Sequence, residues 1–297
     1  MLKKEISFIS SVFLFAAVLH ITKTEARVGD LESYEPTTLG YTQDSDDDRF
    51  LDFKISVKYP LFPTLTDKRV FFAFSGRFGQ YLGTRSSSPV IGKRFNPKLC
   101  MMFPSDTTHP RRDYIDLAYG HESNGQKIDT LAELNEISKG EKQPSHARDY
   151  ISRGWDYLEI VVKNTYLINN RNKWASYFTL NYYLPHGLLQ GKSEEYNTWE
   201  NDSEGKRRES VNGLRALFKY DFDDADTKKL VAELKVALML ETGYHDAFAN
   251  WTTRGEFAFK ILKLPILFWA SHGYNSDLAL YYKKVTSYGI AIEIGGF

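Results

Sequence analysis

From about residue 50 onward the chain is built of stretches in which every second side chain is apolar, and this period of two limits the fold more than any other feature. Leu51, Phe53, Ile55, Val57 and Tyr59 alternate with Asp52, Lys54, Ser56 and Lys58. Leu214, Ala216, Phe218, Tyr220 and Phe222 do the same, as do Leu230, Ala232, Leu234, Val236, Leu238 and Leu240, and then Phe257, Phe259 and Ile261. Side chains on a strand point alternately to its two faces, so each stretch reads as a strand with one greasy and one polar face. Further candidate strands lie near 38–43, 69–82, 97–104, 112–123, 153–166, 173–185, 264–275 and 284–296, about twelve in all.

The connections alternate in length. Pro63 to Lys68 and Asn169 to Asn172 read as tight turns, whereas 83–96, 124–152, 186–207 and 243–250 read as long polar loops. Short turns on one side and long loops on the other are the habit of transmembrane barrels. A water-soluble sandwich would alternate too, with its apolar face inward. Three features favour the membrane: strands of ten or more residues, a secretory leader, and a last strand (Tyr288, Ile290, Ile292, Ile294) that runs to a terminal Phe297. The leader is expected over 1–26. Lys3 and Lys4 give it a positive start, Ile6 to Leu19 an apolar stretch, and Ala26 a cleavage point. After Ala26 no apolar run of ~18 residues follows, so no membrane helix is expected. The expectation is an all-β chain over 27–297: a transmembrane antiparallel β-barrel of about twelve strands, multi-pass, in the outer membrane of a Gram-negative bacterium.

Composition fits. Aromatics make up 15% of the 297 residues, which suits strands and interface girdles. Formal net charge is zero, so nothing resembles a basic nucleic-acid surface. The acidic run Asp44 to Asp48 reads as a solvated turn. Cys100 is the only cysteine, which excludes an intrachain disulfide, and no second cysteine supports a zinc site or a redox pair.

One stretch carries chemistry. Ile115, Leu117, Tyr119, His121 and Ser123 share one strand face, and Tyr114, Asp116, Ala118 and Glu122 share the other. His121 and Ser123 therefore project on the apolar, lipid-facing side, close enough for an imidazole to take a hydroxyl proton. A rim girdle can also hold a lone histidine, which is the plainer reading of this pair. On the next long strand Asp156 shares its face with Leu158, Ile160 and Val162. Antiparallel neighbours joined by the intervening loop would set its carboxylate beside His121, where it would hold the imidazole in its useful tautomer.

Tyr119-Gly120-His121-Glu122-Ser123-Asn124-Gly125 resembles the Tyr-x-His-x-Ser-Asn-Gly motif of the outer-membrane phospholipase A family. Ser152-Arg153-Gly154-Trp155-Asp156 is similar to that family's Ser-Arg-x-Trp-Asn segment, and Ser87-Ser88-Pro89 to a third, in an outer loop. The resemblance runs from about Glu35 to the C-terminus. It implies a twelve-stranded barrel that hydrolyses phospholipid acyl esters, with phospholipase A1/A2 and lysophospholipase activity, activated by calcium and by reversible homodimerisation among outer-membrane lipids. Carried over, Ser123 is the nucleophile, His121 the general base and Asp156 its orienting partner, with the N–H of Gly125 in the oxyanion hole. Calcium would be held by the carbonyl of Gln126, the hydroxyl of Ser152 and a carbonyl at Ser87 from a second subunit. Oxygen ligands of this kind suit calcium.

The chain departs from the family twice. It has Asp156 where the family has Asn, which should still orient the histidine. Its 126–151 loop is longer than usual, and Lys127 to Lys139, with Ile128, Leu131, Leu134 and Ile137, fits a short amphipathic helix lying over the site. Other readings are a barrel lipid A deacylase, which also uses a lipid-facing His-Ser pair, and a pore or adhesin without activity.

Overall fold

The computed structural model describes residues 31–46, 48–61, 69–104, 113–168, 172–223, 231–246, 248–261 and 264–294. The expected leader over 1–26, the turn at Pro63 to Lys68, most of the turn at 169–172 and the terminal Phe297 lie outside the described residues.

The alternating stretches are strands, in chain order β1 (Glu32–Ser33), β2 (Thr37–Asp44), β3 (Arg49–Pro60), β4 (Arg69–Tyr81), β5 (Val90–Pro104), β6 (Tyr114–Ser123), β7 (Gly154–Leu167), β8 (Lys173–Leu184), β9 (Gly213–Asp223), β10 (Val231–Gly243), β11 (Trp251–Ile261), β12 (Leu264–Gly273) and β13 (Val285–Ile294). Each of β2 to β13 pairs antiparallel with its neighbour in sequence, and β13 pairs with β2. The twelve close into a barrel, and β1 is a short extra strand on the lower half of β3. Closure leaves no free sheet edge, which a strand in lipid requires.

Which face points where separates a membrane barrel from a soluble one. Leu117, Leu158, Ile160, Phe178, Val236, Leu238, Phe257, Phe268 and Ile290 face outward and are 41–47% exposed. So large a belt of exposed apolar side chains has no stable place in water. The inner face is charged: Lys98, Asp116, Glu159, Glu241 and Glu293 are buried in the lumen, with Lys98 Nζ 2.9 Å from Glu159. The transmembrane barrel expected from the sequence is therefore observed.

One boundary differs from the sequence expectation. Residues 90–96 begin β5, although Lys93 and Arg94 suggest a loop. Lys93 points into the lumen, where its Nζ donates to Tyr81 Oη at 2.9 Å and pairs with Asp277 at 2.6 Å. A strand with a polar inner face reads as a loop because both kinds of segment are rich in charge.

The outer half of the lumen is filled. Trp155, Tyr157 and Tyr183 from the wall pack with Val211 and with Leu278, Tyr281 and Tyr282 of the 274–284 loop, which dips into the barrel mouth. Arg208 is fully buried among them, donating from Nε to Glu122 at 2.8 Å and lying 5.3 Å from the Trp155 ring. Further down, a cavity of about 790 Å³ is lined by charged side chains that include Lys163, Lys219, Lys235, Glu256 and Glu293.

The 124–153 loop holds a helix, Leu131–Ser138, capped by Thr130 and Glu133, each of which bonds the other's backbone N–H. The helix lies over the barrel mouth rather than over the His121-Ser123 face. Its buried Leu134 packs with Ile128, Ala147 and Ile151 and with Ala279 of the neighbouring loop.

Candidate active site

Parity along β6 and register with β7 build the site. Leu117, Tyr119, His121 and Ser123 stand outward, while Asp116, Ala118, Gly120 and Glu122 are buried inside. In the β6–β7 ladder His121 lies opposite Asp156 and Ser123 opposite Gly154. Side chains directly opposite on one face are ~5 Å apart at Cβ, so imidazole and carboxylate meet. Nδ1 of His121 is 2.7 Å from Oδ1 of Asp156. The proton of the imidazole then belongs on Nδ1, leaving Nε2 free to accept one.

Asp156 faces out of the barrel, yet its side chain is wholly buried. The cover comes from the loop after β8. His186 pairs with Lys192, so residues 186–192 form a small hairpin, and its tip lies against the outer wall. The N–H groups of Leu189 and Gln190 donate to Asp156 Oδ2 at 2.7 and 3.3 Å. Tyr119 Oη donates to the same oxygen at 2.6 Å and accepts from Leu188 N at 2.7 Å. The segment folded onto Asp156 is thus 186–192, whereas the sequence suggests the 127–139 helix for a place over the site.

The residues after Ser123 are tied to those before Asp156. Asn124 is buried, donates from Nδ2 to Ile151 O at 2.7 Å and accepts from Arg153 N at 3.0 Å. Gly125 follows with φ of 65°, a left-handed turn that glycine adopts without strain. Gln126 Nε2 donates to the carbonyls of Gly92 and Asn124. Arg153 is fully buried and donates from Nη2 to both carboxylate oxygens of Glu200 at 2.5–2.6 Å, which fixes the segment leading to Asp156 from inside the barrel.

Of the residues expected to hold calcium, Ser152 donates its hydroxyl to Glu194 Oε2 at 2.7 Å, so a carboxylate stands beside it. Ser87 is exposed in the 82–89 loop with φ of 59°. Arg85 links that loop to the one carrying Gln126 and Ser152: it donates to Asp149 at 2.7 Å and to both oxygens of Asp48 at 2.6 Å. Burial pushes the Asp149 carboxyl up to about 6, although Arg85 opposes it. Among the described residues no three His, Cys, Asp or Glu side chains cluster as a metal site. A cation here would draw on backbone carbonyls and a hydroxyl as well as on Glu194.

Sequence reasoning did not assign roles to Tyr119, Asn124, Glu194 or the amides of 188–190. Tyr119 shares the parity of His121, and Asn124 sits inside the quoted motif, so both were within reach. Nothing local in 186–194 signals that it folds back on the wall.

No protein-family model and no curated protein sequence matches the chain. Its structure is similar to that of outer membrane phospholipase A from Escherichia coli, with 15% identity, a TM-score of 0.60, and 89% of this chain and 98% of that one covered. It is also similar to a Salmonella typhi outer membrane phospholipase dimer with bound calcium (14% identity, TM-score 0.62, 94% and 96% covered). An active-site mutant of the E. coli protein, with an asparagine replaced by alanine, gives 14% identity and a TM-score of 0.62 over 93% and 96%. The chain is an outer-membrane β-barrel with the fold of outer membrane phospholipase A.

Proposed function

We propose that this protein is a phospholipase of the outer membrane, hydrolysing acyl esters of glycerophospholipids with Ser123, His121 and Asp156 on the lipid-facing wall. The observation that carries the reading is the 2.7 Å contact between His121 and a buried Asp156, on the same outward face and beside Ser123. A charged carboxylate and an imidazole at the edge of an apolar wall are costly, and such groups mark function.

The chemistry follows from the positions. His121 Nε2 takes the proton of Ser123, whose Oγ attacks the ester carbonyl. The tetrahedral oxyanion lies toward the N–H of Gly125. His121 then returns the proton to the leaving lysophospholipid oxygen, and water, activated by the same imidazole, releases the fatty acid. Throughout, Asp156 keeps the ring in one tautomer and stabilises its charged form. The substrate's chains lie in the same plane as the apolar belt, so a phospholipid in the outer leaflet reaches Ser123 without leaving the bilayer.

Calcium fits the donor set: the carbonyl of Gln126, the hydroxyl of Ser152 beside Glu194, and a carbonyl from the partner's Ser87 in a homodimer. When bound, the ion supplies positive charge near the developing oxyanion. The filled outer lumen favours this reading over a pore, since Trp155, Tyr157, Tyr281 and Arg208 occupy the path.

The test is an assay of the purified barrel on phospholipid in mixed micelles, with calcium and then with chelator. Release of fatty acid that stops on chelation is the expected result. Absence of acyl hydrolysis in calcium, with the barrel folded, overturns the reading.

A further inference from the structure

Four donors converge on one carboxylate in the wall. Oδ1 of Asp156 takes His121, and Oδ2 takes Tyr119 Oη, Leu189 N and Gln190 N. The hairpin tip that supplies the two amides is fitted tightly. A Cβ at Gly187 would overlap Oδ2 of Asp156, so only glycine lets the backbone approach so closely. The bond from Gly187 N to Gly191 O, 2.6 Å, closes the hairpin behind it. Leu188 and Leu189 carry their side chains outward, 86% and 45% exposed, so the tip turns its polar atoms to the wall and its apolar ones away.

We propose that the 187–190 tip together with Tyr119 is a positioning clamp that selects an ionised carboxylate at position 156, so that the amide of asparagine cannot replace it in this protein. The proposal rests on the hydrolase reading and deepens it. The reason is donor and acceptor accounting. Oδ2 receives three donors and offers none, which an ionised carboxylate satisfies and an amide does not. If an asparagine in this place turned its carbonyl to His121, its NH2 would face the N–H groups of Leu189 and Gln190, donor against donor. If it turned its NH2 to His121, Nδ1 would have to accept, and Nε2 would carry the proton and lose its function as base. Either orientation damages the triad or lifts the clamp. The E. coli relative, by contrast, has an asparagine in its active site. The resembled family has Asn at this place, and the donors of the tip are the feature of this chain that would not accept it.

The experiment compares wild type, Asp156→Asn, Gly187→Ala and the double variant in detergent. Two readouts are used: kcat and KM on micellar phospholipid, and hydrogen exchange of the 187–190 amides. Asp156→Asn should lose roughly 100-fold or more in kcat, with KM little changed, since a wrong tautomer can cost ~10⁴-fold in a serine protease. In the Gly187→Ala background, where the tip is already displaced, the same change should cost less than ~10-fold, because coupled sites are not additive. The Leu189 and Gln190 amides should be protected in wild type and exchange faster in Asp156→Asn. If Asp156→Asn keeps kcat within a few-fold of wild type and amide protection is unchanged, the clamp is wrong and the hydrolase reading stands. If wild type shows no hydrolysis, the hydrolase reading fails, and the exchange comparison still decides whether the tip distinguishes carboxylate from amide.

Discussion

His121 and Asp156 are direct cross-strand partners, and Nδ1 of the first lies 2.7 Å from Oδ1 of the second, on the outside of a closed barrel. Ser123 is two residues along the same face, one strand period from His121 and opposite Gly154. Replacing Ser123 by Ala should abolish turnover and covalent labelling by a sulfonylating reagent while the barrel still resists heat on a gel. Asp156→Ala should leave KM nearly unchanged and lower kcat by up to ~10⁴-fold. Full activity in Ser123→Ala would remove it as nucleophile, and wild-type kcat in Asp156→Ala would mean that another group orients His121.

Asn124 joins the Ser123 segment to the Asp156 segment through Ile151 O and Arg153 N. Truncation to Ala leaves both backbone groups buried without that partner, at ~1–3 kcal/mol each. The Gly125 amide should then lose its fixed aim, and kcat should fall roughly 100-fold, the loss seen on removing one oxyanion donor. The measurement is kcat beside thermal stability. A drop in stability with unchanged kcat would confine Asn124 to a structural role.

Calcium and self-association should be linked. If the ion takes Gln126 and Ser152 from one barrel and the partner's Ser87, calcium raises the dimer fraction and dimerisation raises calcium affinity by the same factor. Sedimentation in detergent across a calcium titration, read beside esterase activity, tests this. Ser152→Ala and Glu194→Gln should each shift the titration to higher calcium, since each removes an oxygen ligand or a charge. Activity that follows calcium in a protein that stays monomeric would rule out the shared site and turn attention to the long 126–151 loop.

Asp149 should make the Arg85 link between the 82–89 and 124–153 loops sensitive to pH. Burial lifts its carboxyl to about 6, against the pull of Arg85. An acid with its folded value above its unfolded one holds its proton more tightly when folded. Its share of stability is therefore full below about 4 and is lost as pH rises through about 6. Amides of residues 144–150, corrected for intrinsic rate, should exchange more readily at about pH 7.5 than at about pH 4.5, on either side of that window. Asp149→Asn, neutral at both values, should remove most of that difference. An equal difference in the variant would assign the effect to other groups.

The barrel was legible in the sequence because a strand writes its two faces into alternate residues, and a membrane puts the apolar set outside for every strand alike. The same parity aligned Tyr119, His121 and Ser123 on one face and Asp156 on the corresponding face of the next long strand, so the candidate trio could be named before its geometry was known. Alternation carries no information about loops. The 186–192 hairpin has no period, and its contacts with Asp156 are made by backbone amides, which every residue but proline possesses. Only the folded chain decided that Gly187 fits against the carboxylate, that Tyr119 completes its shell, and that the helix at Leu131–Ser138 rests over the barrel mouth on Ala147 and Ala279. Local sequence determines which way a side chain points from a strand; where a long loop comes to rest depends on the surfaces that the rest of the fold offers it.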